Sequence, residues 1–397
     1  MAPRLVRVHA LLTAALALVA EIDVDGSPAH QPYDGSPCAG GACKPSYLII
    51  GVGKCGTSSL YYYLAEHPRV RPAAQKQLQW FDHQWSAKPE AWARYLASFP
   101  ARLEPGEMTG EASPGYVAYS EVPPRVFSKL PQARILVVVR DPASRAFSSY
   151  NYNYVSLANA HALPFTDIVR AEIRFLQRCI TDFEARARAP DALIDFSRDC
   201  FRNGKDAYFQ MSLTEETRHV APPGGIAARS AARHPALPRA NEHLWRQMVA
   251  RSTYAPYLEH WYRQFPASAI RVVCLEADLD VQSAAGDAAG EAALERGGRR
   301  VAAAVGEIAH FLGLAPFDFT STVAKGRYNA GGHKAHYEHA TKWTLNGQST
   351  AEAAAFPSAA AIPAEGRRLI GEFARPFNDR LFELSGRRCA HWDARPT

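Results

Sequence analysis

The chain has 397 residues, of which 47% are hydrophobic and 21% charged. These are globular proportions, and they exclude a wholly disordered chain, a collagen or a coiled coil. Lys and Arg total 45 against 39 Asp and Glu, a net charge of +6; this suits an anionic partner but falls far short of the basicity that packages nucleic acid, and no nucleic-acid partner is expected.

In chain order, Arg4 and Arg7 precede an apolar run from Val8 to Ala20. Basic then apolar then small residues is the pattern of a secretory signal peptide, and the same order begins a signal-anchor. The run is short for a bilayer span, which needs about 20 residues. Residues 1–20 are therefore expected to direct entry to the secretory pathway, cleaved or retained as a membrane anchor. Residues 21–45, rich in Gly, Pro, Ser and Asp without periodicity, read as a flexible stem. The folded part, 46–397, is expected to be one domain.

Tyr47-Leu-Ile-Ile-Gly51 is a continuous apolar run, as in a buried parallel strand. A Gly-rich turn follows, then a helix from Thr57 to His67, stopped by Pro68. Glu107–Gly110 reads as a further strand, with Glu111 just after it. Ile135-Leu-Val-Val-Val139 is a buried strand ending at Arg140. There Asp141-Pro142 opens a helix, Asp as N-cap and Pro at the first helical position. A helix from about Tyr254 to Gln264 precedes a strand over Ile270–Leu275. Segments 221–239 and 283–300 read as variable loops. Buried strands alternating with helices predict an α/β fold, a single P-loop-like domain with a central parallel sheet flanked by helices.

The seven cysteines form no metal signature, with no CxxC or HExxH, and no metal is expected. Cys38 with Cys43 and Cys179 with Cys200 are candidate disulfides in an oxidising compartment. The odd count leaves a thiol over, and Cys55, inside the Gly-rich turn, is the expected one.

That turn reads Gly51-Val-Gly53-Lys54-Cys55-Gly56-Thr57-Ser58-Ser59. Glycines between strand and helix let a ligand approach the backbone, and the helix N-terminus favours an anion. A nucleoside-triphosphatase loop has G-x4-G-K-[ST]; here Thr57 stands where its lysine belongs and Lys54 lies two residues before the second glycine. This argues against a P-loop kinase. The pattern K-x-G-T-[ST] after a strand resembles the sulfotransferases that use 3′-phosphoadenosine 5′-phosphosulfate (PAPS). The resemblance implies that Lys54, Cys55, Gly56, Thr57, Ser58 and Ser59 hold the 5′-phosphosulfate. Arg140-Asp-Pro-Ala-Ser-Arg145-Ala-Phe-Ser148-Ser-Tyr150 meets every fixed position of the family's R-D-P-x-x-R-x-x-S-x-Y, which implies that Arg140 and Ser148 bind the 3′-phosphate. Lys325-Gly326-Arg327 resembles the late loop that closes over the nucleotide, and Tyr328 is placed to stack on adenine or to pack on the surface.

The resemblance covers most of 46–392 and is closest to Golgi carbohydrate sulfotransferases, the heparan sulfate N- and 3-O-sulfotransferases and the N-acetylgalactosamine 4-sulfate 6-O-sulfotransferase. Lys76-Gln-Leu-Gln-Trp80-Phe-Asp82 lies at their K-E-x-H-[FW]-F-D, and Gly110-Glu111-Ala-Ser113-Pro-Gly-Tyr116 at their E-K-[ST]-P-x-Y. It implies sulfuryl transfer from PAPS, with no metal, to a hydroxyl, less readily an amine, of a glycosaminoglycan-like glycan in the Golgi lumen, or outside the cell as second choice. Two residues depart from the pattern. Gln77 replaces the glutamate taken as catalytic base, and an amide cannot take the acceptor's proton. Ala112 replaces the sugar-binding lysine. His83, Asp82 and Glu111 are the alternative bases, histidine as a residue type titrating near ~6.5. An unusual acceptor, or a weakly active or inactive nucleotide- and glycan-binding protein on this fold, are the other readings. Lys76, Lys88, Arg94 and Arg102 are candidates for an acceptor groove.

Overall fold

A computed structural model describes residues 38–39, 42–151, 164–184, 200, 248–285, 290–328, 343–344 and 362–392. The expected leader over 1–20, most of the stem and the loop at 221–239 lie outside these residues.

Strands β1 (Cys38–Ala39) and β2 (Ala42–Cys43) pair antiparallel, and a disulfide joins Cys38 to Cys43. The central sheet holds β3 (Tyr47–Gly51), β4 (Gly110–Ala112), β5 (Arg134–Val139) and β6 (Ile270–Cys274), in the order β4-β3-β5-β6, every neighbouring pair parallel. Side chains on both faces of β3 and β5 are buried, apart from the half-buried Arg134 at the start of β5. This is why these strands read as unbroken apolar runs rather than as alternation. The expected α/β architecture is the one observed.

Helix α1 (Thr57–Ala65) follows β3 directly. Next come α2 (Pro89–Leu96), α3 (Val122–Lys129), α4 (Pro142–Tyr150) and α5 (Phe165–Glu184), then α6 (Ala255–Gln264), α7 (Leu275–Asp278), α8 (Val281–Ala285) and α9 (Glu291–Phe311). The described elements end with α10 (Thr320–Ala324), the antiparallel pair β7 (Arg327–Tyr328) and β8 (Trp343–Thr344), and α11 (Ala364–Ser385). Helix α4 starts as its sequence requires: the Asp141 carboxylate accepts from the N–H of Ser144 at 2.8 Å, with Pro142 at the first position. Helix α11 packs on α4, α5 and α6, while α1 packs on α9. Glu259 of α6 is buried and receives Arg380 of α11 at 2.8 Å.

Two expectations shift. Glu111 lies inside β4, paired with Leu48, rather than after a strand at 107–110. The segment 283–300, expected as a loop, holds α8 and the first half of α9. Its alanines are the best helix formers, and they outweigh Gly297 and Gly298.

Both expected disulfides form, Cys179–Cys200 as well as Cys38–Cys43, and Cys55 is a buried free thiol. A third bridge, Cys274–Cys389, ties the end of β6 to the residues after α11, across 115 positions of sequence. Closing so long a loop removes much unfolded-state entropy. Replacing Cys274 and Cys389 together by serine is expected to lower unfolding free energy by about 2–5 kcal/mol, read by urea denaturation under non-reducing conditions. Equal midpoints for parent and double variant would show that the bridge contributes nothing.

Candidate active site at the carboxyl end of the sheet

Ligands of open α/β sheets bind beyond the carboxyl ends of the strands, and the sequence-predicted residues gather there. The loop after β3 is tied to β5 by the N–H of Val52 donating to the carbonyl of Val138 at 2.8 Å. Lys54 and Gly56 both take positive φ, 73° and 84°, curling the chain into the start of α1. At Gly56 a side chain is excluded twice, by that φ and because a Cβ would stand 2.7 Å from Leu275 Cδ1. Gly56 caps α1 without a side-chain hydrogen bond, and no acidic residue stands in the first turn. No side chain of its own cap or first turn compensates this positive helix end, as suits an anion site.

Two guanidinium groups hold the loop from behind. Arg145 is buried; its Nε donates to the carbonyl of Gly53 at 3.1 Å and its Nη1 to that of Met248 at 3.1 Å. Arg140 Nη1 reaches the carbonyl of Lys54 at 3.4 Å. The Tyr254 hydroxyl fixes the Arg140 backbone, donating to its carbonyl at 2.6 Å and accepting from its N–H at 3.3 Å. Burial, then the charges of Arg140 and Arg145, push the Lys54 ammonium down to about 8. Such a concentration of positive charge suits a multiply charged anion. Cys55 faces the core; burial pushes its thiol up to about 12, so only its backbone belongs to the loop's outer surface. Thr57 is buried, while Ser58 and Ser148 are half-buried.

The Lys325-Gly326-Arg327 loop docks on α1. Tyr63 donates to the carbonyl of Gly326 at 2.7 Å, and the N–H of Tyr328 donates to Ser59 Oγ at 3.1 Å. The Tyr328 ring lies on Tyr62, centroids 3.7 Å apart. Lys325 pairs with Glu66, past the far end of α1 from the Gly-rich turn. The structure thus gives Ser59 and Lys325 partners within the fold.

On the other flank, beside β4, Glu111 is fully buried. Its Oε1 accepts from the hydroxyls of Tyr95 at 2.7 Å and Tyr116 at 2.9 Å, and its Oε2 from Ser113 at 2.7 Å. Burial raises its carboxyl above the usual range against the pull of these hydroxyls. The same hydroxyls organise the segment at 77–83: Tyr116 accepts from the N–H groups of Trp80 and Phe81, and Ser113 from that of Gln79. Gln77 is exposed, its N–H bonded to the Ala112 carbonyl at 3.1 Å. Asp82 Oδ1 accepts from the N–H of His83 at 2.8 Å, and Oδ2 lies 3.7 Å from His83 Nε2. Lys76 Nζ is buried with no hydrogen-bond partner, and burial pushes it down to about 8. Lys88, Arg94 and Arg102 are exposed, Arg102 paired with Glu104.

Sequence reasoning gave Arg145 no ligand role, and in the structure it braces the loop. It did not find Tyr254, Tyr95 or Glu172. Glu172 is buried, pushed up to about 7 by burial, and accepts from the N–H groups of Val249 and Ala250 at 2.9 Å. A glutamate on the apolar face of α5 was the one available signal. Among the described residues no group of three or more His, Cys, Asp or Glu is arranged to hold a metal ion.

Fold and loop together define an α/β protein with a P-loop-like turn at the head of a parallel sheet. No family model matches the chain. It is similar to the membrane-associated sulfotransferase kil1 of Dictyostelium discoideum, 23% identical over 252 residues, 59% of this chain and 52% of that protein. It is also similar to two human proteins, heparan sulfate glucosamine 3-O-sulfotransferase 6 and 3B1. The first is 38% identical over 128 residues (31% of this chain, 36% of the relative) and the second 37% over 130 (33% and 31%). The chain therefore spans about half or less of the curated relatives it matches. A solved sulfotransferase from Alicyclobacillus acidocaldarius aligns over 89% of this chain and 100% of its own at 18% identity; its TM-score of 0.47 is too low to add to the fold seen directly. The proteins it resembles are sulfotransferases, two of them named for heparan sulfate, which is the kind of protein its motifs led us to expect.

Tyr116→Phe removes the hydroxyl shared by Glu111 and two buried amides. It is expected to destabilise by about 1–3 kcal/mol, read as a lower urea midpoint at unchanged m. An unaltered midpoint would mean that the segment at 79–81 is held otherwise.

Proposed function

We propose that this chain transfers the sulfuryl group of PAPS to a hydroxyl of a glycosaminoglycan-like glycan. The observation that carries the reading is the gathering of Lys54, Arg140 and the uncompensated N-terminus of α1 behind one Gly-rich turn. The curated relatives, named as sulfotransferases, three of them acting on heparan sulfate or bound to membrane, support it.

In this reading PAPS supplies a sulfuryl group on a phosphate leaving group. Lys54 and the backbone of Gly56, Thr57 and Ser58 hold the 5′ end and stabilise charge there; Arg140 and Ser148 hold the 3′-phosphate. Arg145 keeps the loop's shape without touching the ligand. The Lys325-Gly326-Arg327 loop, docked on α1, borders the nucleotide through Arg327 and Tyr328. No residue of this scheme calls for a metal ion. We place the protein in the secretory pathway, in the Golgi lumen, with residues 1–20 as leader or anchor, 21–45 as stem and 46–397 as the catalytic domain. Three disulfides agree with an oxidising compartment. Among the described residues no helix is long and apolar enough to cross a membrane. The exposed neutral amide of Gln77 favours one second reading, a nucleotide- and glycan-binding protein with little turnover.

The product 3′-phosphoadenosine 5′-phosphate is expected to raise the melting temperature of the full chain without Mg²⁺, by the equivalent of about 2.7 kcal/mol at 100 times Kd. Lys54→Ala and Arg140→Ala should abolish the shift; a shift surviving in both would sink the donor-site assignment.

The lowered Lys54 value gives a pH dependence of definite sign. Unfolded, the ammonium keeps its ordinary value near 10.5; folded, it loses its proton near 8. Between these values the unfolded chain binds more protons, so this residue's contribution to stability rises with pH across that window. Anion affinity runs the other way and falls above about pH 8. Calorimetric titration at pH 7 and 9 should show the loss in the parent and not in Lys54→Arg, whose guanidinium stays charged at both. An equal loss in both would assign it elsewhere.

A further inference from the structure

The segment at 76–83 lacks the titratable pair that its pattern carries elsewhere, since Gln77 and Gln79 stand where K-E-x-H has Glu and His. Two titratable groups besides Lys76 remain in it, Asp82 and His83, and they face each other. Resting on the sulfotransferase reading above, we propose that His83, oriented by Asp82, is the general base that takes the acceptor's proton.

The structure separates the three candidate carboxylate and imidazole groups by access. Glu111 is sealed, with three hydroxyl donors on its two oxygens. The Asp82 side chain is 0% exposed, whereas that of His83 is 54% exposed. Only the imidazole meets an acceptor arriving from solvent. Asp82 Oδ2 is buried without a hydrogen-bond partner, and the ring beside it is that of His83, Nε2 at 3.7 Å. A buried acceptor in want of a donor stands where it can orient the imidazole. The pair and the phosphate loop share a neighbouring turn. A Cβ on Gly115 would stand 2.8 Å from Asp82 Oδ2, and a Cβ on Gly51 would stand 2.6 Å from Val117 Cγ1. One short turn, 114–117, therefore touches the pair on one side and the start of the loop on the other.

The step balances. The lone pair of the His83 nitrogen turned away from Asp82 takes the hydroxyl proton. The acceptor oxygen forms its bond to sulfur, and the sulfur–oxygen bond to the 5′-phosphate breaks, its electrons leaving with the phosphate. The imidazolium, paired with the Asp82 carboxylate, then gives its proton to water. The charged and titratable groups around the pair are Tyr119, whose ring meets His83 edge-on at 5.6 Å, Arg251 and Glu111, which act on Asp82, and Arg125, which donates to the Phe81 carbonyl.

The experiment uses the full chain with radiolabelled PAPS and two acceptor probes, heparan sulfate and chondroitin sulfate, across pH 5–9. His83→Ala is expected to lower kcat by ~10²–10⁴-fold, to lose the acidic limb of the parent's kcat profile, and to regain rate with added imidazole. Its melting-temperature shift with 3′-phosphoadenosine 5′-phosphate should equal the parent's. Asp82→Asn should lower kcat about tenfold with KM for the glycan unchanged, as a positioning residue would. A parent that transfers sulfate while His83→Ala keeps its kcat and its acidic limb overturns this proposal alone. A parent that shifts with the nucleotide but transfers to neither probe, or that does not shift, overturns the sulfotransferase reading and this proposal with it.

Discussion

A guanidinium group buried without partners would cost several kcal/mol, and the site is built around meeting that cost for Arg145. Its donors go to the carbonyls of Gly53 and Met248. Those two residues lie far apart in sequence, one in the Gly-rich turn and one just before the 3-10 turn that leads to α6. Glu172 completes the chain from the other side by taking the N–H groups of Val249 and Ala250, its own charge favoured by the Arg145 cation. Helices α4 and α5, the chain at 248–250 and the turn after β3 are thereby fixed to one another through two side chains, Arg145 and Glu172. The left-handed conformations at Lys54 and Gly56, unfavourable for a lysine, persist in a turn whose carbonyls are held in this way.

A second polar network does the same for the flank beside β4. Glu111, Ser113, Tyr95 and Tyr116 satisfy one another, and their remaining capacity accepts the N–H groups of Gln79, Trp80 and Phe81. Fully satisfied buried networks of this kind specify one arrangement. The aromatic side chains around it, with Trp80 stacked on Tyr95 at 4.9 Å and Phe81 edge-on to Tyr116 at 5.6 Å, exclude water from it. The consequence is a division of roles: the carboxylate that the sequence offered as a base serves as the anchor of the segment that carries the other candidates.

The strand–turn–helix unit and the Asp141-Pro142 helix start were legible because their signals are local: an apolar run, a cap, a proline. So was the placing of the two motifs, since each followed a buried strand. What the sequence hid is long-range. Cys274 and Cys389 carry no spacing signal across 115 residues. Arg145 has its donor motif in view but its second acceptor, Met248, a hundred positions on. For Glu111 the strand edge was misplaced: the residue lies inside β4, paired with Leu48, and its hydroxyl partners Tyr95 and Tyr116 come from elements that strand pattern does not reveal. The alanine-rich stretch after Ser283 was mistaken because glycine and charge suggest a loop when burial of Ala293, Val301 and Val305 against the core is not yet known.

The two networks meet at the turn after β4, and this explains how opposite chemical demands share one cleft. The donor flank concentrates cations, enough to push Lys54 down to about 8. The β4 flank holds two carboxyl groups, Glu111 and Asp82, both raised by burial, with the Lys76 ammonium lowered beside Glu111. Lys54 and Arg140 follow β3 and β5, whereas Glu111 and Asp82 lie on or beside β4. The turn 114–117 lies between them, and a glycine stands at each of its two contacts, Gly51 against Val117 and Gly115 against Asp82. A side chain at either position would push the flanks apart, since a Cβ would stand 2.6 Å from Val117 at Gly51 and 2.8 Å from Asp82 at Gly115.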